Sequence, residues 1–194
     1  MRLSGVVDRL FTVKRIYWVG LCAVAAVLLG QEALKYSEKL EHAPTPLPDR
    51  LILTWSGDAK TTQSMTWRTD TSVTTPVVEF AETQDGPNFA KATSKVKGMS
   101  QPFETELSVA HYHSATLTGL KAGTNYNYRV GDGVNWSEWN RFRTAGVVEE
   151  DFEFFYFGDA QTQIAEHCAL LFQTAFRHAP NARFLVHAGD LINN

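Results

Sequence analysis

The 194-residue sequence has only two cysteines, Cys22 and Cys168. One lies in an N-terminal apolar segment and the other in a late amphipathic stretch. A bond between them is not expected, which excludes a disulfide-stapled fold and leaves the compartment open. Charge of one sign is also lacking, because the formal net charge is −3. With no basic field to follow a phosphate backbone, nucleic acid is not expected as a partner. The sequence has no internal repeat and no low-complexity tract. The apolar run Ile16–Gly30 has 15 residues, short of the roughly 20 that cross a bilayer comfortably.

What is present is ordinary globular material: 44% hydrophobic and 20% charged residues, enough for one or two packed domains. The N-terminus is less ordinary. Arg2, Arg9, Lys14 and Arg15 precede the apolar run, the pattern of a secretory signal or a signal anchor. No convincing small-x-small cleavage site follows at Gly30-Gln31-Glu32-Ala33, and Leu21 before Cys22 does not suit a lipoprotein signal. An uncleaved anchor, a cleaved signal and a buried helix all remain open. In the first two readings the basic flank holds the N-terminus in the cytoplasm and exports the rest, to a periplasmic or extracellular location.

A stiff linker follows, with Pro44, Pro46 and Pro48 in Ala43–Pro48. Between Leu51 and Ala145 the chain reads as short β-runs broken by turn residues. They are Leu51–Trp55, Ser64–Thr69, Pro76–Glu82, Glu106–Leu117, Tyr126–Val130 and Ser137–Thr144. About seven short strands without a strong helix predict a β-sandwich. The stretch Gly119–Tyr126, with Leu120, a Gly-containing turn and then Tyr126 entering a strand, predicts a tyrosine corner. Trp67 is a candidate core residue. Trp136 and Trp139, in NWSEW, fit either core and interface packing or a ligand surface.

From Asp151 the pattern changes. Phe152–Phe157 is nearly all apolar, as expected of a parallel strand buried on both faces. The stretch from Thr162 to Ala179 carries Ile164, Cys168, Leu171, Phe172, Ala175 and Phe176 at helical spacing. Ala182–Ala188 reads as a second strand. This is one βαβ unit, and a Gly-Asp pair closes each strand: Gly158-Asp159 and Gly189-Asp190. Right-handed crossover sets both aspartates at the carboxyl ends of neighbouring strands, where α/β sheets bind ligands. Close carboxylates repel unless a cation lies between them. A carboxylate shared by two ions holds them ~3.5–4 Å apart, the separation used in phosphoester hydrolysis. The plainer alternative is that each aspartate caps a helix or closes a turn. Among the histidines, His111 and His113 alternate on a sandwich strand and read as packing or surface residues. His187 reads as structural, and His42, His167 and His178 as solvated.

Residues 45–194 resemble the N-terminal part of a purple acid phosphatase-like protein of the calcineurin-type metallophosphoesterase superfamily. Three segments carry the resemblance: the sandwich with Pro48–Asp58, Thr62–Thr69 and His111–Gly133; FYFGDAQ (Phe155–Gln161) at the family's first metal motif, Gly-Asp-x-Gly; and HAGDLIN (His187–Asn193) at its second, Gly-Asp-x-x-Tyr. The resemblance implies a fibronectin type III-like β-sandwich, then the truncated first βαβ unit of an α/β metallophosphoesterase domain; the N-terminal apolar helix read from the residues precedes both. It divides the chain into 1–43 (basic tip, signal or anchor helix, linker), 44–146 (sandwich) and 147–194 (incomplete metallophosphoesterase domain).

The resemblance also implies the chemistry: metal-dependent hydrolysis of a small phosphate monoester. Asp159 ligates one ion and Asp190 bridges two, the ions being iron, zinc or manganese. Gln161 stands where the first motif has Gly, and it takes no firm role. Asn193 stands where the family has the tyrosine that gives the purple colour, so that colour is not expected and iron(III) is in doubt. The family's later Gly-Asn-His and two further His-bearing motifs are not found here, so this chain is expected to be an N-terminal fragment, inactive alone. Two other readings stand beside it: a membrane-anchored extracellular β-sandwich binding module, and a phosphodiesterase or nucleotidase on the same scaffold.

Overall fold

The computed structural model describes residues 27, 28, 30, 31, 42–105, 108–148, 150–161 and 164–190. Most of the N-terminal apolar run, with Cys22, lies outside the described residues, as does Asn193. Among the described residues no helix is long and apolar enough to cross a membrane. The chain divides into two compact units, Met1–Ala145 and Gly146–Asn194.

The first unit is a β-sandwich of eight strands: β1 (Asp49–Thr54), β2 (Gln63–Thr69), β3 (Val77–Glu82), β4 (Ser94–Lys97), β5 (Met99–Glu104), β6 (Val109–Leu117), β7 (Asn125–Gly131) and β8 (Asn140–Arg143). They form two antiparallel four-stranded sheets, ordered β1-β2-β6-β5 and β4-β3-β7-β8. Alternation decides which residues face inward. Met65, Trp67, Ala115 and Leu117 from one sheet meet Val78, Tyr126, Tyr128 and Val130 from the other in one core. Each large apolar side chain buried there contributes about 2–3 kcal/mol. Trp67 is fully buried, as expected. The tyrosine corner is present: the Lys121 backbone N–H donates to the Tyr126 hydroxyl at 2.9 Å.

The strand boundaries differ from expectation in instructive places. β6 starts at Val109 rather than Glu106, and β8 covers only Asn140–Arg143. β4 and β5 were not expected at all. Both are edge strands, and β4 packs only Val96 against the core. The proline linker is tied down rather than free. The Asp70 N–H donates to the Thr45 carbonyl at 2.9 Å, and Arg68 Nη1 donates to the His42 carbonyl at 3.1 Å.

The second unit holds β9 (Phe155–Phe157), one π-helical turn (Ile164–Cys168), α1 (Ala169–His178) and β10 (Leu185–His187). β9 and β10 pair in parallel, Phe157 opposite His187. The strands are shorter than the apolar runs suggested. The expected burial on both faces is not met: Tyr156 is 69% exposed, and Leu185 and Val186 are exposed too. Two strands and one helix have too few elements to cover both faces of a sheet. For the same reason α1 has no buried residue. Phe172 does reach the sheet, edge-on to Phe157 at 4.8 Å.

Candidate metal centre

The second unit is built so that its two Gly-Asp corners meet. Phe157 pairs with His187, the Ala188 N–H donates to the Phe157 carbonyl at 2.7 Å, and the Asp159 N–H donates to the Gly189 carbonyl at 3.2 Å. The ladder thus continues past both strands into the corners. Gly158 allows this approach, because a Cβ there would sit 3.3 Å from the Ala188 Cβ.

The two aspartates share a left-handed φ, although of their preceding glycines only Gly189 has a positive φ. Asp159 has φ 58° and Asp190 φ 53°, two of only three non-glycine residues with positive φ among the described residues. Gly189 precedes Asp190 at φ 113°, a conformation that glycine alone adopts without strain. Aspartate tolerates the left-handed region better than most residues, but it is still a local cost held in place by the surrounding ladder. Both aspartates are exposed. The Gln161 side-chain amide donates to Asp159 Oδ1 at 2.9 Å. The His187 Nδ1 accepts from the Gly189 N–H at 3.3 Å, and its Nε2 is buried without a partner.

Carboxylates are hard oxygen donors suited to divalent and trivalent ions, so the corners fit part of a metal donor set. They do not complete one. A single zinc takes about four donors, and among the described residues no group of three His, Cys, Asp or Glu side chains could hold an ion. His111 and His113 belong to the sandwich. His111 Nδ1 is 2.8 Å from the Val73 carbonyl, and His113 is buried beside Trp67. His42, His167 and His178 are exposed.

A second constellation escaped the sequence reading. On the outer face of β3 and β7, Glu79 and Arg129 sit in register, and Arg129 Nε donates to Glu79 Oε2 at 2.7 Å. The guanidinium lies 4.2 Å from the Trp136 ring centre and 4.7 Å from that of Trp139. Phe89 meets Trp139 edge-on at 5.0 Å. The Thr93 hydroxyl donates to Glu79 Oε1 at 2.7 Å. Burial alone would raise the Glu79 carboxyl, but Thr93 and Arg129 outweigh it and hold it below the ordinary carboxylate range. The two tryptophans therefore pack on the half-buried guanidinium of an ion pair whose carboxylate is buried. The only sequence signal was a charge at an alternating position in each strand, which does not say that the two charges meet.

Together these features define a two-part chain: an all-β sandwich, and a small α/β unit whose parallel strands end in paired carboxylate corners. Residues 48–144 match the family described as the purple acid phosphatase N-terminal domain, and the chain belongs to that family. No curated protein matches it. Among solved structures, it is similar to a computationally redesigned β-sandwich protein at 22% identity, over 52% of this chain and 96% of that one, with a TM-score of 0.33. It is also similar to Astrotactin-2, described as a vertebrate-specific, perforin-like membrane protein involved in neuronal development. There the identity is 14%, over 53% of this chain and 23% of that one, with a TM-score of 0.38.

Proposed function

We propose that the parent activity is metal-dependent hydrolysis of phosphate monoesters, and that residues 147–194 open an α/β metallophosphoesterase domain behind the sandwich. The observation that carries this is the meeting of two Gly-Asp corners, joined by the Asp159–Gly189 backbone bond, in a chain of the purple acid phosphatase N-terminal domain family. Asp159 and Asp190 are the metal ligands contributed here, toward a centre of two iron, zinc or manganese ions. When bound, such ions would polarise the phosphoryl oxygens and lower the pKa of water. The role of this chain's residues is positional. Both aspartates, held at a left-handed φ, are exposed at the end of the ladder, and Gln161 steadies one oxygen of Asp159. The apolar surface left open on α1, β9 and β10 is consistent with a larger domain. Export through the N-terminal segment, as an anchor or a cleaved signal, belongs to the same proposal.

Calorimetric titration of the chain with Mn²⁺ or Zn²⁺ tests the ligand assignment. Asp159→Asn and Asp190→Asn should each weaken binding at least ~10-fold. Unchanged affinity in both variants would remove the assignment. With two donors brought together among the described residues, the 194-residue chain should show no metal-dependent turnover of p-nitrophenyl phosphate. Measurable turnover would mean that this chain's own residues complete the centre.

A further inference from the structure

We propose that one end of the sandwich, between Glu82 and Lys121, is a binding site for a neutral sugar. A cavity of about 470 Å³ opens there, between the end of β3 and the turn joining β6 to β7. Small-molecule sites typically span about 300–1,000 Å³, so a single pyranose fits within it. The site lies wholly in the first unit and is independent of the Gly-Asp corners.

The lining has three kinds of group. The apolar side chains in the lining include Phe80, Leu120 and Tyr126. Leu120 and Tyr126 are buried, and Phe80 is half-buried, with its ring centre 6.2 Å from that of Tyr126. The lining also carries the uncharged hydrogen-bonding side chains of Gln84, Ser94 and Thr118, all exposed. The rim is an ion pair, with Lys121 Nζ 2.6 Å from Glu82 Oε1. The tyrosine corner fixes that rim, because the Tyr126 hydroxyl holds the Lys121 backbone N–H at 2.9 Å.

This chemistry selects among ligand classes. An anion would have to compete with Glu82 for the one lysine, and a cation with Lys121 for the one carboxylate. A purely apolar ligand would leave the hydrogen-bonding capacity of Gln84, Ser94 and Thr118 unused. A pyranose presents C–H groups on one face and hydroxyls around its edge. It can lay the first on the half-buried Phe80 ring and offer the second to Gln84, Ser94, Thr118 and the Glu82 carboxylate.

The test is an NMR titration of the isotope-labelled chain with glucose, galactose, mannose and N-acetylglucosamine, each to about 50 mM, and with inorganic phosphate in a parallel arm. At least one sugar should shift the amides of Glu82–Gln84 and Thr118–Lys121 with a Kd of about 1–10 mM. Glu82→Ala and Gln84→Ala should each weaken that binding about 5-fold or more, losses equivalent to one hydrogen bond. Both positions are exposed, so the thermal midpoint reports whether the fold is kept. The proposal is overturned if no sugar shifts these amides, if both variants bind as the parent does, or if phosphate shifts the same amides at lower concentration.

Discussion

The Thr69 hydroxyl donates to the Asp70 carbonyl at 2.9 Å, so its oxygen can only accept from His113 Nε2, 2.7 Å away. His113 is therefore the Nε2–H tautomer, and its buried Nδ1 is left without a partner. Protonating that nitrogen would put an unpaired charge beside Trp67. Burial first, and the neighbouring His111 second, push the His113 pKa down to about 4. An unfolded histidine titrates near ~6.5. The folded state thus binds the proton less readily, and the sign follows. The stability due to neutral His113 is complete above pH ~6.5 and is lost as pH falls toward about 4. The loss is on the order of 3 kcal/mol. Urea unfolding at pH 7.5, 5.5 and 4.5 should show the midpoint falling, and His113→Leu should flatten that slope whatever its effect at neutral pH. An equally steep slope in the variant would assign the acid sensitivity elsewhere. At the same scale, Arg129→Leu should destabilise by about 2–4 kcal/mol, because it leaves the buried Glu79 carboxylate with only Thr93 and the exposed Lys95 at 3.9 Å, and opens the stack on Trp136 and Trp139. The matching readouts are a lower urea midpoint and a red shift of tryptophan fluorescence.

Elements differ in how plainly the sequence announces them. β2, β3 and β7 place alternate large residues in the core, so the period of two is visible and their boundaries fall within one residue of expectation. β4 and β5 have no such pattern. Ser94–Lys97 turns only Val96 inward, and Met99–Glu104 is an exposed edge strand with Pro102 in it, a residue confined to edges because it donates no ladder bond. Their place is set by backbone pairing to the strands next to them in sequence, β3 and β6, rather than by a core-facing pattern of their own. The candidate site divides the same way. That Asp159 and Asp190 follow strands was legible from two apolar runs. Their common left-handed backbone was not, because it depends on Gly189 and on the cross-strand bond from Asp159. The tyrosine corner was legible because it is local: five residues separate the hydroxyl from the amide it binds. Tyr126→Phe should remove that bond and leave the Lys121 N–H unpaired, a cost of about 1–2 kcal/mol. A drop in the urea midpoint with an unchanged slope checks it, since the ring itself stays in the core.

Across the whole molecule the two units differ in what holds them together. In the sandwich, Met65, Trp67, Val78, Leu117 and Val130 have no exposed surface, and every strand pairs within a four-stranded sheet. In the second unit only Ala160 and Cys168 are buried among the described residues. Phe152, Phe154, Tyr156, Leu171 and Phe176 are all about half-exposed or more. Its parallel pair is three residues long, and α1 has no buried residue although Phe172 meets Phe157. Local opening draws on buried apolar contact, so opening should be far less costly in the second unit than in the first. Hydrogen exchange should therefore be slowest in β2, β6 and β7 and faster by several orders of magnitude in β9, α1 and β10. Brief digestion with chymotrypsin should cut first among Phe152–Phe157, leaving a resistant sandwich. Adding Mn²⁺ or Zn²⁺ should slow both processes only in the second unit, and only while Asp159 and Asp190 are intact, because binding stabilises the folded form it selects. Exchange in β9 and β10 as slow as in β2, without metal, would mean that the open faces are covered in solution and that the second unit holds itself together.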